Sequence, residues 1–241
     1  MADWSDIRFR EEDNFQAGAV LVIDKPVGWT SFDVVNKIRN FLRKRYGKIK
    51  VGHAGTLDPL ASGVVVVCTG KETKEIDRYM GEEKEYVAEI TFGHTTPSYD
   101  LETGFDGEYP FGHVSRDLLE GKIRQFLGDI EQIPPVYSAV RMEGVRSYER
   151  ARRGDEVEMK KRPVRIATLE IVSMEMPKVT LRVVCSKGTY IRSLAHDLGI
   201  ACDSGSHLSG LCRTRVGSFR VEEAFGMEEL IGMLKERCVA L

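Results

Sequence analysis

The arrangement of hydrophobic and polar positions along the chain predicts strands and helices in irregular order. Runs typical of buried strands occur at residues 19–24, apolar up to Asp24, and at residues 64–68, and a further strand is predicted at 179–185. Residues 86–92 alternate apolar and polar side chains, which indicates a strand with one buried face. Because no regular strand–helix–strand repeat is visible, the pattern favours an α+β fold over a doubly wound one.

Three stretches have the spacing of amphipathic helices. Ser31 is predicted to cap the first, in which apolar residues recur every three or four positions. Ser115 is predicted to cap the second. The third is predicted from Tyr190 to Leu198, with Gly199 ending it. The end of the chain predicts a strand and a short helix over Met227–Leu234.

The charge of the chain is unevenly distributed, although the net charge is only −2. Residues 37–50 carry seven basic residues and no acidic one, and residues 141–165 form a second basic stretch with five acids among it. A local excess of basic side chains attracts a phosphate backbone, whereas the overall balance argues weakly against a nucleic-acid partner. The first stretch is therefore either a solvated helix face or a surface for RNA.

Other features of the composition narrow the class of protein. The 241 residues predict one large domain, or a domain with a small appendage. No apolar run approaches the roughly 20 residues that cross a bilayer, and the N-terminus is charged, so we expect a cytoplasmic protein. The five cysteines form no CxxC pair and are expected to be reduced thiols, mostly buried.

The densest cluster of unusual residues is GHAGTLDPLASG, at residues 52–63. Its glycines let the backbone approach a ligand closely, and Pro59 biases Asp58 towards an extended conformation. Such a loop, placed directly before a buried strand, can present Asp58 from a fixed position. An Asp-Pro pair after small residues is also an ordinary turn, so the residues by themselves leave both interpretations open.

Six segments, in order along the chain, resemble the TruB family of tRNA pseudouridine synthases. Residues 55–63, GTLDPLASG, are similar to its signature loop. The other five similar segments are LVIDKPVGWTS (21–31), KEY (84–86), TPSYD (96–100), PPVYSAV (134–140) and SKGTYIRS (186–193). The resemblance spans about residues 21–216 and implies the pseudouridine synthase catalytic fold, with a central mixed, mostly antiparallel sheet flanked by helices and loops.

The resemblance implies an enzyme that converts the uridine at position 55, in the tRNA T-loop, to pseudouridine. The N-glycosidic bond of a flipped-out base is broken and the base rejoins the sugar through C5. The implied catalytic residues are Asp58 as the essential carboxylate, Arg192 as the guanidinium paired with it and Tyr86 as a ring stacked on the base. The implied substrate-binding residues are His53, Lys25, Pro26, Tyr190, Asp100, Gly55 and Leu57. The candidates for RNA backbone contacts are Arg39, Arg43, Lys44, Arg141 and Arg146.

Domain limits and partners are also expected from the resemblance. We expect an N-terminal extension at 1–18, a catalytic domain at 19–219 and a short tail at 220–241 in place of the PUA-type RNA-binding domain of many family members. With no phosphate-binding loop or metal-ligand spacing visible, no cofactor and no metal are expected. The expected partner is the tRNA T-arm, bound by a monomer without a membrane or an obligate protein partner.

Three alternatives stay open at this point. The chain could be a guide-RNA-dependent synthase of the same superfamily, although those carry the C-terminal domain. It could be an RNA-binding or RNA-folding protein in which catalysis is incidental. A metal-dependent hydrolase using His53, His94 and Asp58 is the third alternative.

Overall fold

The computed structural model describes residues 15–138, 141–142, 145–147, 150, 153 and 159–239, with backbone alone at 141–142, 145–146 and 236–239. The chain divides into two compact units, Met1–Glu85 with Cys212–Leu241, and Tyr86–Leu211. Within the described residues, no helix is long and apolar enough to cross a membrane.

The described residues form strands and helices that follow each other irregularly, as the sequence predicts. The strands are β1 (Val20–Lys25), β2 (Val51–His53), β3 (Ser62–Thr69), β4 (Lys84–Phe92), β5 (His94–Thr95), β6 (Gly107–Glu108), β7 (Gly128–Gln132), β8 (Arg141–Met142), β9 (Val145–Arg146), β10 (Arg162–Glu175), β11 (Lys178–Cys185), β12 (Ser206–Val216), β13 (Phe219–Arg220) and β14 (Phe225–Gly226). The helices are α1 (Ser31–Tyr46), α2 (Ile76–Gly81), α3 (Arg116–Ile123), α4 (Ile191–Ala201) and α5 (Met227–Val239).

The first unit is a mixed sheet with helices packed on it. Its strand order is β14-β1-β3-β12, where β12 contributes its C-terminal part. β1 runs antiparallel to β3, and β12 and β14 run parallel to their neighbours β3 and β1. The apolar run of β3 is entirely buried from Val64 to Cys68, and α1 and α5 pack together beside the sheet. Burying one such valine contributes roughly 1.5–3 kcal/mol, so β3 anchors this unit.

Helix α1 begins one residue earlier than the sequence predicts. Thr30, not Ser31, is the N-cap, and its hydroxyl accepts a hydrogen bond from the Asp33 amide at 3.0 Å. The Asp33 carboxylate accepts one in return from the Thr30 amide at 2.9 Å, which completes a capping box. The prediction for Ser31 was wrong because the Ser31 hydroxyl is hydrogen-bonded to Leu57 instead.

The second unit is a sheet of order β12-β4-β11-β10-β7, where β12 contributes its N-terminal part. β10 pairs antiparallel with β11 and with β7. Strand β4 alternates buried and half-buried residues along its length, which confirms the predicted one-sided burial. Helices α3 and α4 contact each other, with Leu119 and Leu194 buried. The α+β class with a mixed sheet, expected from the sequence, is thereby confirmed.

Helix α4 continues past the glycine that was predicted to end it. It runs to Ala201, and Gly199 lies in its last turn. A Cβ at Gly199 would lie 2.5 Å from the Ser206 amide nitrogen. The prediction was wrong because this glycine allows the helix to approach the start of β12 and does not stop the helix.

Three of the cysteines, Cys68, Cys185 and Cys202, are buried free thiols, as expected. Burial raises the pKa of the Cys68 thiol to about 12, with smaller contributions from the charges of Glu72 and Glu75. This thiol is therefore a neutral part of the core.

Candidate active site

The loop that carries Asp58 connects β2 to β3 in the first unit. Asp58 is half-buried, and its backbone carbonyl accepts a hydrogen bond from the Ala61 amide at 3.1 Å, which closes a tight turn after the aspartate. The Ala54 amide donates to the Val66 carbonyl at 2.8 Å. The loop is therefore attached to the sheet directly before it turns towards Asp58.

Lys25 is a fully buried cation beneath this loop. Its ammonium group lies within hydrogen-bond distance of four backbone carbonyls, which share its three N–H donors: those of Trp29 at 2.7 Å, Pro26 at 3.0 Å, Pro59 at 3.5 Å, and Ala61. Burial lowers the pKa of Lys25 to about 8, although the charge of Asp58 opposes this shift. Lys25 therefore holds the two sides of the loop together, and the exposed Pro26 supplies one of the carbonyls.

Arg213, on β12, is a second buried cation that sequence reasoning missed. Its Nε donates to the Val64 carbonyl at 2.7 Å. Its two terminal nitrogens donate to the carbonyls of Thr56 and Gly55, each at 3.3 Å. The planar guanidinium can satisfy several carbonyls in fixed directions, which suits it to hold an irregular loop against a strand.

The two cations flank the first residues of β3. Gly63 pairs with Lys25 of β1 on one side and with Arg213 of β12 on the other. Gly63 has φ +103°, and a Cβ there would lie 2.3 Å from the Arg213 carbonyl oxygen. Only glycine combines this positive φ with so close an approach, so a glycine is required here, directly after the loop joins β3.

Ser31 fixes the residue that precedes Asp58. Its hydroxyl accepts from the Leu57 amide at 2.8 Å and lies 3.1 Å from the Leu57 carbonyl, to which it donates. The Gly28 amide donates to the Pro59 carbonyl at 2.8 Å. Gly55 and Leu57, which we expected to bind substrate, thus have backbone groups that hold the loop, and the Leu57 side chain is buried.

His53 ends β2, directly before the loop. Burial has the largest influence on the pKa of His53 and lowers it. A hydrogen bond with the Gly55 backbone raises the pKa, and the charge of Arg213 lowers it. The ring is therefore neutral at pH 7. Its buried Nδ1 has no hydrogen-bond partner within the described part of the chain.

Arg192 lies in the first turn of α4, in the second unit, and is buried. It donates to the carbonyls of Tyr137 at 2.9 Å and Ser98 at 3.4 Å. Its Nε lies 3.6 Å from a carboxylate oxygen of Asp100, which is also buried. A guanidinium with these partners has a fixed orientation.

The loop that carries Asp100 has its own supports. The hydroxyls of Thr96 and Ser98 donate to the Asp100 carbonyl at 2.7 Å and 3.1 Å. Tyr99 has φ +64°, an unusual conformation for a bulky residue. Its ring stacks on His196 of α4 with the centroids 3.9 Å apart and the planes at 23°. Tyr99 and His196 were not predicted, because the stack joins residues far apart in sequence.

Tyr190 is held by its backbone. Its amide donates to Oε1 of the buried Gln132 at 2.8 Å, and its carbonyl accepts from Nε2 of Gln132 at 3.0 Å. Tyr190 is the N-cap residue of α4, so Gln132 holds the backbone at the start of that helix. Tyr86, the remaining predicted residue of this unit, is buried on β4.

The predicted residues are distributed over both units: Lys25, Pro26, His53, Gly55, Leu57 and Asp58 belong to the first, and Tyr86, Asp100, Tyr190 and Arg192 to the second. Of the predicted RNA-backbone residues, Arg43 and Lys44 are exposed on α1, and the side chains of Arg141 and Arg146 lie outside the described residues. Across the described part of the chain, no three His, Cys, Asp or Glu side chains are grouped to hold a metal ion.

Comparison with known proteins places this architecture among the pseudouridine synthases. A crystal structure of a Cbf5–Nop10–Gar1 complex contains a chain that is 32% identical, with a TM-score of 0.70 over 92% of this chain and 55% of that one. The chain thus spans about half of that solved protein.

Closer relatives identify the family. The model of the TruB family pseudouridylate synthase N-terminal domain matches residues 43–191. A tRNA pseudouridine synthase B of Phocaeicola vulgatus is 52% identical, covering 89% of this chain and 92% of the relative. Another, of Parabacteroides distasonis, is 50% identical and covers 95% and 98%. The chain belongs to the TruB family of pseudouridine synthases.

Proposed function

We propose that this protein converts the uridine at position 55, in the T-loop of tRNA, to pseudouridine. Its relatives are named tRNA pseudouridine synthase B and match nearly their whole length. The reaction breaks the N1–C1′ glycosidic bond, turns the uracil in place and joins C5 to C1′. The proton on C5 leaves and N1 gains one, so the product is an isomer and no redox cofactor is required.

One observation carries the assignment of Asp58 as the essential carboxylate. The loop around it is held at successive carbonyls, by Arg213 at Gly55 and Thr56 and by Lys25 at Pro59 and Ala61. A carboxylate on so constrained a backbone keeps its position while the base turns, which is what orientation-dependent catalysis requires. It acts either as a nucleophile at the sugar or as a base that takes a sugar proton.

The other predicted residues act on the nucleotide. Removing a uridine from its stack costs a few kcal/mol, which contacts in the enzyme must offset. Tyr86 and Tyr190 supply rings that suit contact with a flipped base. Arg192, held by Asp100 and two carbonyls, supplies a fixed positive charge at the reacting nucleotide. His53, which is half-buried directly before the Asp58 loop, supplies a polar contact to the RNA.

Binding of the T-arm is assigned to the basic face of α1. Arg43 and Lys44 are exposed in its last turn and opposite the apolar face. Contacts of this kind hold phosphates without reading sequence, so we expect binding to weaken steeply with salt. The proposal includes a cytoplasmic monomer that works without a protein partner, metal or cofactor.

The decisive experiment compares wild type with Asp58→Asn on an unmodified tRNA transcript, without added metal or cofactor. Wild type is expected to convert the T-loop uridine, and the variant to bind the transcript with similar affinity and convert none. Asp77→Asn is the matched control, because Asp77 is an exposed aspartate of the same unit and should leave conversion unchanged. Conversion by Asp58→Asn would refute the role of Asp58, and binding without conversion by wild type would favour the RNA-folding alternative.

A further inference from the structure

An exposed aromatic ring lies beside the Asp58 loop. Phe32, in the first turn of α1, is 59% exposed. Val27 is 60% exposed and Leu60 is 40% exposed, and the segments that carry them are joined by the hydrogen bond from Gly28 to Pro59. We call Val27, Phe32 and Leu60 the Phe32 patch. Single exposed apolar side chains are common on protein surfaces, whereas several on adjoining segments indicate a contact surface.

The Phe32 patch is tied to the candidate catalytic loop. Phe32 follows Ser31, whose hydroxyl is hydrogen-bonded to both backbone groups of Leu57, the residue before Asp58. Leu60 lies two residues after Asp58. A molecule that touches the Phe32 patch is therefore close to the loop that carries Asp58.

Arg39 extends the aromatic surface of Phe32. Its guanidinium carbon lies 6.0 Å from the centroid of the Phe32 ring. Its terminal nitrogens donate to the side chain of Asn36 and to the carbonyl of Val51, both at 2.9 Å. Because these bonds occupy and orient the guanidinium, Arg39 is better placed to offer a flat face than to follow a phosphate.

The charges around Phe32 favour a polyanion with flat groups. The nearby Asp33 is committed to the helix cap through Thr30, whereas Lys37 and Arg43 are exposed further along α1. Unpaired nucleobases are recognised by stacking on aromatic rings and guanidinium planes, with basic groups on the adjacent phosphates. A partner protein with an apolar contact surface would not require these basic neighbours.

We propose that Phe32 and Arg39 form a stacking platform for an unpaired nucleobase of the RNA substrate, next to the reacting uridine. This inference rests on the proposed action on a tRNA loop. It reassigns Arg39 from phosphate contact to base stacking.

The test measures tRNA affinity for Phe32→Ala, Phe32→Leu and Phe32→Trp in the full chain. Phe32→Ala removes one base–aromatic stack and is expected to raise Kd about tenfold. Phe32→Leu should weaken binding almost as much, because it keeps apolar area and loses the ring. Phe32→Trp should retain wild-type affinity, and its added fluorescence should be quenched when tRNA binds.

Two controls separate stacking from other effects. Val172→Ala removes an apolar side chain that is 60% exposed on β10 and should leave Kd unchanged. A fully base-paired T-stem without its loop should bind Phe32→Ala and wild type equally, because it offers no unpaired base. The dependence of log K on log salt should be the same for both proteins, since no phosphate contact is lost.

Equal Kd values for wild type, Phe32→Ala and Phe32→Leu on tRNA would overturn the platform and leave the Phe32 patch as a surface for a protein. A loss that is equally large on the paired stem would also overturn it. Failure of wild type to convert tRNA would count against the proposed function alone. Quenching of Phe32→Trp by the loop, but not by the paired stem, would then still establish the platform.

Discussion

The Asp58 loop of the first unit and the Asp100 loop of the second are both held in place by residues of other segments, but by different chemical groups. Two buried cations, Lys25 and Arg213, hold the first through its backbone carbonyls. The second relies on hydroxyl groups, on the ion pair with Arg192 and on the ring stack of Tyr99 with His196.

This difference predicts different responses to mutation. Removing a buried cation leaves several carbonyls without donors, and each buried unsatisfied polar group costs about 1–3 kcal/mol. Removing one ring of a stack costs about 0.5–1.5 kcal/mol and leaves no charge uncompensated. Substitutions of the residues that hold the Asp58 loop should therefore lower stability. Substitutions of the residues that hold the Asp100 loop, which contacts Arg192, should mainly lower activity.

The largest expected effect is that of Arg213→Met. It removes donors to the carbonyls of Gly55, Thr56 and Val64, and should lower the free energy of unfolding by about 3–5 kcal/mol in urea denaturation. Arg220→Met is the matched control, since Arg220 is an exposed arginine on β13, the strand that follows β12. A loss below about 1 kcal/mol would show that the cation does not hold the loop.

Next in size is Gly63→Ala. The added Cβ would lie 2.3 Å from the Arg213 carbonyl oxygen at a residue with φ +103°. We expect a loss of about 2–4 kcal/mol of unfolding free energy, from strain and displaced backbone. Gly81→Ala is the control, because a Cβ there has no atom within 4 Å. If both variants unfolded at the same denaturant concentration, the close approach of the strands would have no energetic consequence.

The pKa of Lys25 predicts a dependence of stability on pH. Because its pKa in the folded protein is about 8, below the ordinary lysine value of 10.5, the unfolded chain binds more protons between these two pH values. Through this group, the free energy of unfolding should rise with pH across that window, by on the order of 2 kcal/mol. The quantity to measure is the difference between wild type and Lys25→Met, which removes contributions of other groups. A difference that is constant from pH 8 to 10.5 would contradict the shift.

The smallest expected effect is that of His196→Ala. Loss of the stack on Tyr99 should lower kcat about fivefold, corresponding to the usual strength of an aromatic pair, and leave KM nearly unchanged. His196→Phe should restore kcat, because it restores a flat ring. Equal kcat values for His196→Ala and wild type, or no recovery with His196→Phe, would show that the stack does not position Arg192.

The sequence predicts the regular parts of both units and fails where the pattern is interrupted. The apolar run of β3 and the alternation of β4 identify those strands directly. Strand β10 has fourteen residues and was missed, because register shifts after Ile166 and Ile171 break its alternation.

The same contrast applies to the candidate site. Asp58 stands out in the sequence because glycines, a proline and a histidine are its neighbours, and the family resemblance implies its catalytic role. Arg213, Gln132 and His196 were missed because each acts on a segment distant along the chain. Arg213 and Gln132 contact backbone atoms, which any residue supplies, so no pattern of residue types reveals the contact.

Gln132 imitates a peptide unit, since its side-chain amide pairs with both backbone groups of Tyr190. Gln132→Glu would keep the size and shape of the side chain but replace its donor with a second acceptor. The carboxyl could reproduce both bonds only when protonated. The two hydrogen bonds to Tyr190, which do not depend on pH with glutamine, would then be lost at neutral pH and formed again in acid. The exchange of one atom would thus make the start of α4 titratable.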